Sequence, residues 1–493
     1  MISRERRDRI KSVLIRYPAL FRVVRATYIT YASLQREVFT LFRFAPRLIK
    51  SGLGSSRDRE TWQRDLPVQR PMSVDAGSVT PTLNPQQIKA WCSARKLPFF
   101  EGGDAIYLPP QTWRATPLGP VLPGYPANAG LKIAQQAGNA DAPYVMARAG
   151  RAVAQKLTFP HRLQTLTFNY MHLQGVAPRL YDLIEIRDGS KVVWTAYVVE
   201  HVETSPLQQG DCESMVEKLR SLERSGPLKL ISGAGWSGMD FEPPNCNNNL
   251  IRDAASGRAL YVDVHNFILE GYDAHLRGLA ETVTEQSHFG GRSRLLGGKR
   301  GSFLYQEIPG LDRPAKRSPR MRLQAWDPLL ERAGVSIEGK AVFDIGCNLG
   351  LMGAEYLRRG ARWMHGWDQP DVAAAAHQVL LSIGCTRFSL TGGALRPETD
   401  LAAGLPEHLR TIGNDGAILS YLAIRGHVGW LPGLDKLPWR YMLYEGHQED
   451  ADLDTYVAEL NARMPVRLIT TDRVSDGVSA PRDIALIERQ PRA

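Results

Sequence analysis

The stretch Lys340-Ala341-Val342-Phe343-Asp344-Ile345-Gly346-Cys347-Asn348-Leu349-Gly350 decides how this chain is read. An apolar, strand-forming run ends on Asp344, Gly346 to Gly350 reads as a tight turn, and residues 352–358 continue with helical spacing. Glycines in such a turn let the backbone approach a ligand at the carboxyl edge of a parallel sheet. A second apolar run, 363–367, leads to Asp368, 24 residues after Asp344, where a carboxylate can take both hydroxyls of a ribose. Residues 416–422, 439–445, 466–471 and 483–488 continue the alternation of strands with helices.

Dinucleotide-binding proteins share this logic, but their G-x-G-x-x-G is absent; the glycines here read G-C-N-L-G. The pattern resembles motif I and the following acidic residue of class I S-adenosylmethionine-dependent methyltransferases, over residues 323–493. That resemblance implies an α/β Rossmann-like domain. Asp344, Gly346 and Gly350 would shape the methionine end of S-adenosylmethionine, Asn348 would belong to the same turn, and Asp368 would bind ribose. Arg425 and His427, after the fourth strand, fall where this fold meets its acceptor, and Glu445 and His447 follow the next strand. The alternative is a nucleotide-binding Rossmann domain without methyl transfer.

With 493 residues the chain has room for two to three domains, and its 23% charged and 43% hydrophobic composition is that of a globular protein. Five scattered cysteines without a C-x-x-C pair argue against a disulfide framework or zinc site and fit a reducing cytoplasm. No run of about 18 apolar residues and no secretory signal pattern is present. The net charge of +10 is concentrated: residues 1–60 hold 14 Lys/Arg against 5 Asp/Glu, and residues 290–322 hold 9 against 2. Local anionic partners are expected, and nucleic acid is not.

Residues 1–50 read as a basic amphipathic helical segment. Arg22, Arg25, Arg36 and Arg43 share one arc and Leu20, Val24, Tyr31, Leu34, Val38 and Leu41 the opposite one. Such a helix suits an anionic membrane surface, or docking on the folded body. Residues 51–84 read as a linker, 85–289 as an α+β domain, and 290–322 as a basic linker or a surface for an anionic acceptor.

Within 85–289, strands are expected at 106–108, 131–134, 180–186 and 192–201, and helices at 163–173 and 212–222. Phosphate transfer from ATP needs a carboxylate at the acceptor hydroxyl, a carboxylate and an amide for Mg²⁺, and a lysine on the phosphates. Asp240 and Asn245 in GMDFEPPN have the spacing of the protein-kinase catalytic loop. Asp263 in YVDVH resembles the metal-binding aspartate, Lys132 in GLKIA the strand lysine, and VVEHV around Glu200 the segment that holds adenine. This resemblance implies a bilobal protein-kinase-like domain with Asp240 and Lys132 catalytic and Asn245 and Asp263 on metal. Gly238 replaces the loop histidine, Val264 and His265 follow the metal aspartate, Asn248 or Asn249 could replace Asn245, and Asn169 stands where a helix glutamate is expected. A pseudokinase is therefore a rival reading.

Together the parts resemble bifunctional enzymes that end O-antigen growth by phosphorylating a terminal sugar and methylating that phosphate, with the domain order reversed here. The resemblance implies ATP, Mg²⁺ and S-adenosylmethionine as cofactors and a glycan or lipid-linked glycan as acceptor. It also implies a place at the inner face of the cell membrane, beside a polysaccharide polymerase. A small-molecule kinase-methyltransferase is a further alternative.

Overall fold

The computed structural model describes residues 65–75, 85–102, 105–122, 124–135, 143–146, 155–158, 163–230, 236, 241, 249–264, 267–285, 290–291, 303–311, 313, 315–412, 416–428, 432–446, 453–474 and 482–490. The basic helix expected over 1–50, together with Asp240, Asn245 and His447, lies outside the described residues.

Strands Met72–Asp75 (β1), Phe100–Gly102 (β2), Ala105–Leu108 (β3), Ala129–Gln135 (β4), Leu180–Asp188 (β5) and Lys191–Glu200 (β6) form a sheet in the order β1-β5-β6-β4-β3-β2. All neighbours are antiparallel except β1, which runs parallel to β5. The two-residue period of a strand sorts its faces. Ile106, Leu108, Leu131, Ile133, Ala196 and Val198 are buried together on one face. Tyr107, Lys132 and Tyr197, paired across three strands, share the other. Helix α1 (Gln164–Leu173) packs on that second face, with the Phe168 ring 5.6 Å from Tyr197. After β6 come helix α2 (Asp211–Ser225), the hairpin β7 (Leu250–Asp253) and β8 (Ala259–Tyr261), and helix α3 (Tyr272–Glu285).

Two sequence expectations need correction here. Residues 65–75 are not part of a linker: Leu66 is fully buried, Gln69 is buried, and β1 pairs with β5. A strand as short as MSVD, preceded by prolines, carries no periodic signal of its own; the partner strand supplies its order. Cys212 is disulfide-bonded, whereas Cys92, Cys347 and Cys385 are free. Approach of two thiols is set by tertiary geometry, which sequence spacing does not report.

The second sheet contains Ala341–Ile345 (β9), Trp363–Asp368 (β10), Phe388–Gly392 (β11), Ala417–Leu422 (β12), Tyr441–Glu445 (β13), Val466–Val474 (β14) and Arg482–Arg489 (β15). Its order is β11-β10-β9-β12-β13-β15-β14, parallel from β11 to β13, with β15 antiparallel to both neighbours. β9 is buried at every position, as expected of a parallel strand covered on both faces. Helices α4 (Leu351–Arg358) and α5 (Pro370–Ser382) follow β9 and β10. The order reverses between β9 and β12, so a crevice opens beyond their carboxyl ends.

The two sheets are joined through the end of α5. The last carbonyls of a helix have no partner within it. Here Asn169 Nδ2 on α1 donates to the carbonyls of Leu381 (2.9 Å) and Cys385 (3.1 Å), the Tyr272 hydroxyl to Ser382 O (2.9 Å), and the Val68 N–H to Ile383 O (2.9 Å). Beside them buried Asp182 accepts from Tyr125 (2.6 Å), Gln69 (3.2 Å), the Leu183 N–H (2.9 Å) and Arg387 (3.3 Å). Asn169, expected near Lys132, is thus committed to the other domain.

Candidate functional site

The turn after β9 is shaped by backbone that side chains resist. Gly346 and Gly350 have φ of +72°, and a Cβ at these positions would lie 2.5 Å from Ile424 Cδ1 and 2.7 Å from Leu380 Cδ1. Asn348 also has positive φ, 52°, which asparagine tolerates. Its N–H donates to Asp368 Oδ2 (2.8 Å), while the Gln369 N–H donates to Asp368 Oδ1 (2.8 Å). The two acidic strand ends are thereby brought to one turn.

Asp344 is 3% exposed and accepts from Ser420 Oγ at 2.7 Å, and Ser420 in turn accepts from the Tyr356 hydroxyl at 2.9 Å. Burial pushes the Asp344 carboxyl up to about 7, against the Ser420 hydrogen bond and the Arg322 charge. Its Oδ2 and the Asn348 Oδ1 are buried without a hydrogen-bond partner. Two orphaned acceptors at the head of a glycine turn fit a ligand that brings donors or positive charge, as the amino and sulfonium groups of S-adenosylmethionine would.

Beyond β13 the carboxyl edge is cationic. Buried Glu445 accepts from Arg322 Nε (2.7 Å) and Arg482 Nη1 (2.6 Å), and Arg317, which donates to the Tyr305 hydroxyl at 2.8 Å, adds to the field on both. Those two arginines hold the Glu445 carboxyl below its usual range despite burial, so Glu445 is an ion-pair partner. Arg322 Nη2 is buried without a partner. Arg425 is 3.0 Å from Glu459 and lies over the Tyr456 ring, so it faces the helix Leu453–Asn461. His427 begins no strand edge of its own; its backbone belongs to the short helix Arg425–Val428.

On the first sheet Lys132 lies within electrostatic reach of Asp263, which follows β8 and stands 131 positions later in the chain. Lys132 is half-buried on the face that α1 covers; desolvation lowers its ammonium and the Asp263 carboxylate counters that effect. Glu200 ends β6, its carboxylate accepting the Arg179 N–H at 3.3 Å. Tyr107 stacks on His201 with centroids 5.9 Å apart and bonds its Nδ1 at 2.6 Å. A Cβ at Gly130 would lie 2.1 Å from the Tyr107 hydroxyl, so this tyrosine covers the strand two residues before Lys132. Asn245 and Asp240, beyond the described residues, add no geometry. Sequence reasoning missed Tyr107, Ser420, Arg317, Arg322 and Arg482; of these, the two arginines in the basic segment 290–322 carried a charge signal.

The strand order defines the second domain as Rossmann-like and doubly wound. No protein-family model and no curated protein matches the chain. Solved structures that are similar to part of it include the N-terminal domain of EvdMO1 with S-adenosylhomocysteine and D-fucose: 13% identity, 45% of this chain, 99% of that one, TM-score 0.29. Magnesium protoporphyrin IX methyltransferase from Synechocystis PCC 6803 with bound S-adenosylhomocysteine shares 14% identity over 35% of this chain and 83% of that one, TM-score 0.26. A Streptococcus pneumoniae protein described as a putative tRNA (m1A22) methyltransferase shares 13% over 34% and 71%, TM-score 0.25. At these values the likeness carries no chemistry to this chain.

Proposed function

We propose that the chain is a methyltransferase using S-adenosylmethionine, with an anionic, phosphorylated acceptor whose phosphate is installed by the first domain. One observation carries the methyl-transfer reading: Asp344 Oδ2 and Asn348 Oδ1, orphaned and buried, at a glycine turn on a topological switch point. The cofactor supplies the methyl group on a sulfonium. The protein's share is alignment and exclusion of water. Gly346 and Gly350 keep the cradle open, Asp344 faces the methionine end, and Asp368 borders the ribose. Arg322, with a buried free Nη2 beside Asp344, supports an anionic acceptor.

Phosphate transfer draws support from the electrostatic coupling of Lys132 with Asp263, and from helix α1, which lies in the chain between the lysine strand β4 and the strand β5. In this reading Lys132 meets the ATP phosphates, Asp263 and Asn245 hold Mg²⁺, Asp240 orients the acceptor hydroxyl, and Glu200 borders adenine. A glycan or lipid-linked glycan at a membrane face, next to a polymerase, is the substrate context we propose. Among the described residues no helix is long and apolar enough to cross a membrane. A specific observation favours a second reading, a pseudokinase scaffold: Tyr107 covers Gly130, and Asn169 is spent on α5.

The test is to supply a lipid-linked glycan extract with labelled S-adenosylmethionine, with and without ATP. Methyl incorporation should require ATP and vanish in Asp263→Ala. ATP-independent incorporation sinks the sequential reading and leaves the scaffold; failure of the purified protein to bind S-adenosylmethionine sinks both.

A further inference from the structure

A second site lies at the opposite edge of the Rossmann-like sheet. A cleft of about 520 Å³ is lined by Gly124 and Tyr125 from the first domain and by Arg362, His408, Thr411, Ile412 and Gly416 from the second. Arg362 directly precedes β10 and Gly416 directly precedes β12. Both strands run parallel away from the cleft, so it is separated from the Asp344 turn by the length of the sheet.

Two polar groups on this cleft, on Arg362 and His408, are unsatisfied, whereas the Tyr125 hydroxyl donates to Asp182 at 2.6 Å. The Arg362 side chain makes no hydrogen bond or ion pair among the described residues, and its Nε is buried without a partner. His408 Nε2 is likewise buried and unpartnered, its ring edge-on to Trp363 at 4.7 Å. The surrounding field is positive. Burial pushes the His408 imidazolium down to about 4, and the charges of Arg362, Arg114 and Arg179 act in the same direction. Arg114 is satisfied by the carbonyls of Pro110, Pro126 and Ala127, and Arg179 by Phe388 O. The nearby carboxylate, Asp182, is spent on Arg387, Tyr125 and Gln69. Arg362 is half-buried with its Nε fully covered, and none of these groups supplies that guanidinium with a neutralising partner.

We propose that this cleft binds a small phosphate monoester. The Arg362 fork and His408 Nε2 grip the phosphate, and the remaining volume, within the range of small-molecule sites, takes the organic part. Because Tyr125 also bonds the buried Asp182 that pairs with Arg387 of the second domain, an occupant here bridges the two domains. This site is independent of the methyl-transfer reading.

The experiment is calorimetric titration and thermal denaturation of the full chain with inorganic phosphate and glycerol 3-phosphate, at matched ionic strength. Both anions should bind, with glycerol 3-phosphate at least as tight. Arg362→Gln should weaken both at least tenfold while leaving the melting temperature of the free protein at or above the parent's, since an uncompensated cation has been removed. A purely structural arginine would instead lower it. Should Arg362→Gln fail to fold, His408→Gln serves the same comparison. No binding by the parent at about 10 mM, unchanged affinity in the variants, or binding of inorganic phosphate alone overturns the assignment.

Discussion

Asp344→Asn should separate stability from ligand binding at the cofactor turn. Burial moves this carboxyl from an ordinary 3.8 to about 7. At about 1.4 kcal/mol per pH unit, that displacement amounts to on the order of 4 kcal/mol held against the ionised form. The sign follows from linkage. The folded protein holds the proton more tightly than the unfolded chain, so stability falls as pH rises from 3.8 through about 7 and levels off above it. Asparagine never ionises, but its amide adds donors beside the orphaned Oδ2 position, at a cost of about 1–3 kcal/mol. The ligand-free variant should therefore exceed the parent by about 1–3 kcal/mol at pH 8 and lose that advantage near pH 5. Its affinity for S-adenosylmethionine should drop at least a hundredfold, because the orphaned anion is the partner of the cofactor's positive end. In the parent, affinity should rise with pH up to about 7, with proton release on binding. Urea denaturation at pH 5, 6.5 and 8, with calorimetric titration of S-adenosylmethionine, reads both quantities. A variant equally destabilised at all three pH values, or one that binds as the parent does, refutes the reasoning.

Two further outcomes follow from the same geometry. Glu445→Gln leaves Arg322 and Arg482 buried without their shared carboxylate and should cost about 3–5 kcal/mol in urea denaturation; a loss under about 1 kcal/mol would mean that solvent already compensates the pair. Tyr107→Ala uncovers Gly130 and frees His201, so a fluorescent ATP analogue should bind at least tenfold tighter than to the parent, and unchanged binding would show that Tyr107 does not occupy the nucleotide's place.

The legible parts of this chain were those whose signal is local. The runs around Asp344 and Asp368 are apolar, end on acids and are followed by a glycine turn, and they became β9 and β10 within a residue of their expected bounds. The strands at 131–134, 180–186 and 192–201 and the helix at 163–173 were equally readable, because alternation and helical spacing are written in neighbouring residues. β11 and the alanine-rich α5 were not read. β11 is five residues long with a single fully buried position, too short and too mixed for periodicity to separate strand from helix.

The sequence by itself placed a glycine turn between an apolar strand ending near Asp344 and a following helix, and the structure gives Gly346 and Gly350 the φ of +72° that glycine alone adopts readily. It also marked the basic segment that delivers Arg317 and Arg322. Only the tertiary structure decided their partners. Glu445, expected as an acceptor contact, closes an ion-pair cluster, Arg425 turns to Glu459, and Asn169 caps α5 across the domain boundary. The convergence of Lys132 with Asp263, and the unpartnered cations around Arg362, are likewise set by which strands lie side by side. Charge pairing over such separations depends on distance and burial in the folded chain, and neither is encoded in the spacing of residues along it.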